Sequence, residues 1–169
     1  LTATNVGILR RQSILKELNL KKGQTIIDIG CGGGHLVEEI SMCVGPMGKA
    51  IGVDPSEFQI KTAKERCKNL SNVQFICNNA NDINIEINSC DAVTFTQTLE
   101  YIDDVDEALY SAKRLQKPMS IFVNVSTLWD FFGFHGPEKG LNDMMHEIYR
   151  SQKHPMLPTK LNGKLEKQG

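Results

Sequence analysis

Thr25-Ile26-Ile27-Asp28-Ile29-Gly30-Cys31-Gly32-Gly33-Gly34-His35-Leu36-Val37-Glu38-Glu39 is the stretch that decides the fold of this chain. A short apolar run meets four glycines within five positions, and an amphipathic pattern begins at Leu36. This is the pattern of a buried strand entering a tight turn that opens a helix. Glycines here remove the Cβ atoms that would hold a ligand away from the backbone, and they permit positive φ. The helix that follows directs free N–H groups at whatever lies above the turn. Asp28 adds a carboxylate beside the loop, which reads as a binding site.

Working outward, apolar strands alternate with helical patterns. Before the turn, residues 5 to 19 carry Val6, Ile8, Leu9, Ile14, Leu15 and Leu18 near helical spacing, ended by Lys21-Lys22-Gly23. After it come a helix over 35–44, closed by Gly45-Pro46, and a strand over 50–53 that runs into Asp54-Pro55-Ser56. A helix over 57–70 precedes a strand over 72–77 and the polar run Asn78-Asn79-Ala80-Asn81-Asp82. A fourth strand spans 90–96, a helix 104–115, and a fifth strand 120–125 after the breaker Lys117-Pro118. The aromatic segment 126–140 contains Trp129, Phe131, Phe132, Phe134 and His135; helices over 141–151 and 160–167 close the chain.

This alternation predicts an α/β fold: a Rossmann-like, doubly wound, mainly parallel sheet with helices on both faces. Ligands of such sheets bind beyond the carboxyl ends of the strands, near the reversal of strand order. The glycine turn, Asp54, the Asn run and Gln97 to Tyr101 all fall at such ends.

Composition narrows the function. The 169 residues are 40% hydrophobic and 23% charged, as expected of one soluble domain 1–169. A net charge of -1 gives no electrostatic reason to expect nucleic acid or an anionic membrane. No apolar run approaches the roughly 20 residues of a spanning helix. The five cysteines at 31, 43, 67, 77 and 90 form no Cys-x-x-Cys pair, so reduced thiols in a cytoplasmic protein are expected, with no metal site. Asp103, Asp104, Asp106 and Glu107 are read as the acidic first turn of a helix, not a metal cluster. No signal peptide is read, and the start at Leu1 leads us to expect a preceding segment outside this sequence.

Two ligand classes compete for a glycine turn followed by an acid at the next strand end. A dinucleotide site has the spacing Gly-x-Gly-x-x-Gly, whereas here the position three after Gly32 is His35. Asp54 suits a ribose hydroxyl pair in either class.

Asp28-Ile29-Gly30-Cys31-Gly32-Gly33-Gly34, followed by Gly52-Val53-Asp54-Pro55-Ser56 and Leu99-Glu100-Tyr101-Ile102-Asp103-Asp104, resembles the class I S-adenosylmethionine (SAM)-dependent methyltransferases. Their first motif is acid-x-Gly-x-Gly-x-Gly, and the likeness runs from about Arg10 to Val125, nearest the small-molecule branch of ubiquinone and menaquinone C-methyltransferases. The resemblance implies SAM as cofactor, a small-molecule methyl acceptor, and in-line displacement at the sulfonium. It places Asp28, Gly30, Cys31, Gly32 and Gly34 against the methionine part, and Asp54 and Pro55 at the ribose. Gln59 and Asn79-Ala80 fall at the adenine, and Gln97 at the sulfonium end. Asn79 stands where the family usually has Asp, and an amide oxygen still accepts a hydrogen bond. Arg10 or Arg11 is a candidate for the methionine carboxylate. Tyr101, His135 and Glu100 are the candidate substrate or base groups, with His146 and His154 more remote. The family's sheet has a sixth and a seventh strand; five are visible here, so a C-terminal truncation is expected. A SAM- or nucleotide-binding domain without transferase activity, and more remotely an NAD(P)-dependent oxidoreductase, remain open alternatives.

Overall fold

The computed structural model describes residues 4–133, 139–150 and 153–168. Helix α1 (Asn5–Leu18) precedes β1 (Thr25–Ile29), α2 (His35–Val44), β2 (Lys49–Asp54), α3 (Glu57–Arg66) and β3 (Val73–Cys77). Then follow β4 (Cys90–Thr96), α4 (Val105–Leu115), β5 (Gln116–Val125), α5 (Lys139–Arg150) and α6 (Leu157–Gln168). The strands pair in parallel in the order β3-β2-β1-β4-β5. Chain progression reverses between β1 and β4, which opens a crevice above their carboxyl ends.

Alternation along the strands supplies two cores, one on each face. Ile26, Ala50 and Ala92 pack under Ile14 and Leu18 of α1 and Leu36, Val37 and Ile40 of α2. Ile27, Ile29, Ile51, Val53, Val93 and Phe95 face Ala108, Leu109 and Ala112 of α4 and Leu157 and Leu161 of α6. Both faces of the sheet are therefore dry, which is why its strands read as unbroken apolar runs. Asp28 and Thr94 are register partners on the α1/α2 side, and they put a polar pair inside that core.

Several boundaries differ from expectation, each for a local reason. Helix α1 ends at Asn19, which takes a left-handed conformation (φ 45°) and donates to the Lys16 carbonyl at 3.2 Å, before the Lys-Lys-Gly signal. Its apolar face is only half used: Val6 and Leu9 are 64% and 62% exposed, because the amino-terminal half overhangs the glycine turn rather than the sheet. Helix α3 stops at Arg66 instead of Leu70. Strand β5 begins at Gln116 and runs through Pro118; it lies at the end of the strand order, where the lost ladder donor of a proline is tolerated. Pro158 sits in the first turn of α6, where its missing N–H costs nothing, so the helix starts at Leu157 and not Lys160.

The acidic run before α4 does capping and pairing work. Asp104 accepts from the Glu107 N–H at 3.0 Å, Asp106 pairs with Lys164 of α6 at 2.7 Å, and Asp103 pairs with Lys153. Among the described residues, no cluster of His, Cys, Asp and Glu is arranged to hold a metal ion.

Candidate functional site

The carboxyl end of β1 is clamped to β2. The N–H groups of Gly30 and Cys31 both donate to the Val53 carbonyl, at 2.7 and 3.0 Å. Asp54 then reaches across: its Oδ2 accepts from the Gly32 N–H and its Oδ1 from the Ser56 N–H, each at 2.9 Å. One carboxylate thus fixes the glycine turn and the start of α3, and each oxygen retains a lone pair for a ligand.

The glycines serve different ends. A Cβ at Gly30 would lie 2.1 Å from Thr98 Oγ1, so this glycine lets the ends of β1 and β4 approach. At Gly34 a Cβ would come within 2.8 Å of Ala63 Cβ, so that glycine seats α2 on α3. A Cβ at Gly32 would meet nothing nearer than Gln59 Oε1 at 3.9 Å, and φ is +50°. Gly32 therefore faces open space, in the lining of the smaller cavity.

Two cavities flank the turn and share Gly30. The larger, about 670 Å³, is lined by Asp54, Pro55, Asn79, Ala80, Gln97 and Tyr101 among others. The smaller, about 110 Å³, holds Arg10, Asp28, Cys31, Gly32 and His35 beneath the overhanging half of α1. Asp28 is 2% exposed and accepts from Thr94 Oγ1 at 2.6 Å. Burial pushes its carboxyl up to about 6; the Thr94 hydroxyl opposes the rise and nearby Asp54 adds to it. Burial also depresses the basicity of His35, with the Arg66 and Arg11 charges adding to the effect.

Gln97 stands where the cavities meet. It is held at φ +50°, and its N–H donates to the Val125 carbonyl at 2.6 Å. Its Oε1 accepts from Arg10 Nη1, and its Nε2 donates to Thr127 Oγ1 at 2.6 Å.

Most expected site residues thus converge on one crevice, with corrections. Gly34 lines neither cavity, for the packing reason above. Gln59 caps the turn from α3, with Oε1 over Gly32 and Gly33, but lines neither cavity. Cys31 lines the small cavity, yet its sulfur turns toward Gly52 and is buried, and burial pushes the thiol far above the ordinary range; a reactive thiol is not what this geometry builds. Arg10 and Arg11 both line the small cavity; Arg11 is paired there with Glu39 at 2.7 Å, and Arg10 bonds Gln97.

Among the candidate bases, Glu100 is fully buried and accepts from Ser126 Oγ at 3.0 Å, outside the cavity lining. Tyr101 lines the large cavity at 46% exposure, and burial followed by the Glu100 charge raises its phenol above the usual range. His146 Nε2 donates to the Phe132 carbonyl at 2.7 Å and His154 Nε2 to the Ile102 carbonyl at 2.9 Å, so both rings tie loops together. His135 lies outside the described residues. Trp129 and Phe132 pack on Tyr149 of α5, with centroids 4.7 and 5.5 Å away, and line neither cavity.

Three contributors were missed. Thr94 partners Asp28, Thr98 fills the space Gly30 vacates, and Lys153 closes the large cavity by pairing with Asp103. Nothing local in the sequence marks them, because each acts through a residue far away in the chain.

A Rossmann-like sheet with a glycine turn at the switch point, an acid at the next strand end and paired cavities defines a protein that binds a nucleoside-bearing cofactor. Residues 20–158 match the family model described as "Methyltransferase domain", and the chain belongs to that family. It is 35% identical over 117 residues to the demethylmenaquinone methyltransferase of Staphylococcus carnosus (strain TM300), covering 69% of this chain and 48% of that protein. It therefore spans about half the length of the curated relatives it matches. A SAM-dependent methyltransferase structure from Aquifex aeolicus superposes with a TM-score of 0.68 at 26% identity, over 77% of this chain and 70% of that one. The geranyl diphosphate C-methyltransferase of Streptomyces coelicolor gives 0.68 at 19% identity, over 82% and 51%, a likeness of fold.

Proposed function

We propose that this domain binds SAM across the β1/β4 switch point and serves methyl transfer to a small-molecule acceptor. The observation that carries the reading is the pair of cavities meeting at Gly30, one polarised by Asp28 and Arg10, the other by Asp54. Opposite charges lining the small cavity suit the ammonium and carboxylate of an amino acid. An acid with free lone pairs in the large cavity suits ribose hydroxyls. A pyrophosphate at the glycine turn would meet the Asp28 carboxylate instead, which disfavours a dinucleotide. The space above Gly32, which a Cβ would fill, fits close backbone approach by the ligand.

Bound SAM supplies a methyl group on an electrophilic sulfonium. The protein's own part is placement: Asp54 holds the ribose, Pro55, Asn79 and Ala80 border the base, and Gln97 stands between the donor end and the acceptor space. Tyr101 offers a phenol at the mouth of that space, where its hydroxyl can donate or accept a hydrogen bond. The acceptor is a small molecule by analogy with the relatives, which are named for demethylmenaquinone. We also propose a cytoplasmic location, which suits five free thiols.

Calorimetry with SAM, S-adenosylhomocysteine (SAH) and NADH tests the reading. Binding of SAM and SAH but not NADH is expected; NADH binding with no SAM binding would overturn it. Tight SAM binding with no turnover across a broad acceptor screen would favour a non-catalytic SAM-binding domain. Asp54→Ala should weaken SAH by roughly 1–3 kcal/mol, since the ribose loses charged acceptors. An affinity equal to wild type would remove Asp54 from the site.

A further inference from the structure

The Arg10–Gln97 contact joins the two cavities, and its chemistry is unbalanced. Arg11, the next residue on α1, has a carboxylate partner in Glu39, whereas Arg10 is held by the neutral amide oxygen of Gln97. A guanidinium on a neutral acceptor makes a weaker bond than it would with a carboxylate, which can take it bidentately. The arm that carries Arg10 is lightly seated: within the first half of α1, Gly7 is buried, while Val6 and Leu9 are exposed. Gln97, by contrast, is fixed by its backbone bond to Val125 and its side-chain bond to Thr127.

We propose that Arg10 and Gln97 form a latch that the cofactor's carboxylate releases, which makes Gln97 a positioning residue and tunes the affinity for the cofactor. This rests on the SAM reading above. In the free domain the Gln97 amide oxygen is occupied by Arg10. When an amino-acid carboxylate enters the small cavity, Arg10 exchanges the amide for the stronger partner. The Gln97 residue, which borders the large cavity, then has its amide oxygen relieved of the guanidinium, with both lone pairs turned to that cavity's contents. Gln97 itself does not move, because Thr127 holds its amide nitrogen and so orients its oxygen.

The test compares SAH with methylthioadenosine, which has the same nucleoside but no amino-acid part, by calorimetry on wild type, Arg10→Gln and Gln97→Asn. Asn tolerates the left-handed backbone of position 97 but is too short to span to Arg10. Arg10→Gln should weaken SAH by about tenfold or more and leave methylthioadenosine unchanged. Gln97→Asn should bind SAH several-fold more tightly than wild type, because the competing acceptor is gone, again with methylthioadenosine unchanged. Amide exchange of α1 should be faster in free Gln97→Asn than in free wild type, and equal once SAH is bound. Equal weakening of both ligands by Gln97→Asn, or an Arg10→Gln variant with normal SAH affinity, would overturn the latch and leave the SAM site standing. Failure of wild type to bind either ligand would overturn both.

Discussion

Replacing Gly32 with valine is expected to lower SAH affinity by at least about 100-fold in a domain that still folds. A Cβ there meets nothing of the protein nearer than Gln59 Oε1 at 3.9 Å, so the added side chain is expected to project into the space assigned to the ligand. The left-handed backbone at φ +50° costs a β-branched residue roughly 1–2 kcal/mol. A domain of ordinary stability, about 5–15 kcal/mol, survives that. The contrast is Gly30→Ala: its methyl group would lie 2.1 Å from Thr98 Oγ1, so that variant should lose thermal stability together with binding. Calorimetry and thermal denaturation of the pair separate a ligand-facing glycine from a packing glycine. A folded Gly32→Val with wild-type affinity would show that the turn is not the site.

The second large effect concerns Asp28 and runs in opposite directions for stability and binding. Its carboxyl titrates at about 6 in the folded chain, against an ordinary value of 3.8. A raised folded value means that the native state holds the proton more tightly. The stabilisation is complete below the unfolded value and is lost as pH rises through about 6. At pH 8 the wild type therefore carries a buried charge whose cost is on the order of 3 kcal/mol. Asp28→Asn keeps an oxygen for the Thr94 hydroxyl and removes the charge. It should be more stable than wild type by about 1–3 kcal/mol at pH 8, with the advantage gone near pH 4. Urea unfolding at both pH values measures this. The same variant should bind SAH more weakly, because the ligand's ammonium loses its counter-charge. A less stable Asp28→Asn at pH 8 would refute the account. The wild-type carboxylate is then a case of stability given up for function.

The candidate crevice was legible in the sequence wherever it depended on neighbours in the chain. Asp28, Gly30 and Gly32 announce themselves by spacing, and Asp54 by its place after an apolar run; all four line the crevice or hold its rim. Gly34 and Cys31 belong to the same motif, yet Ala63 explains the first, and the Cys31 sulfur is turned into the core. A motif specifies a backbone path; it does not say which side of that path meets the ligand. The role of the aromatic segment is not local either: Trp129 and Phe132 pack on Tyr149 of α5, a contact no local pattern marks.

The sequence by itself determined the alternation of strands and helices, the glycine turn and the acid that follows it, because hydrophobic period and turn chemistry are local properties. The tertiary structure decided the strand order that opens the crevice and the burial that raises Asp28. It also decided the half-seated α1 and the bond from Arg10 to Gln97, 87 residues apart. Those depend on which segments meet in space, and that is settled by packing two faces of one sheet at once.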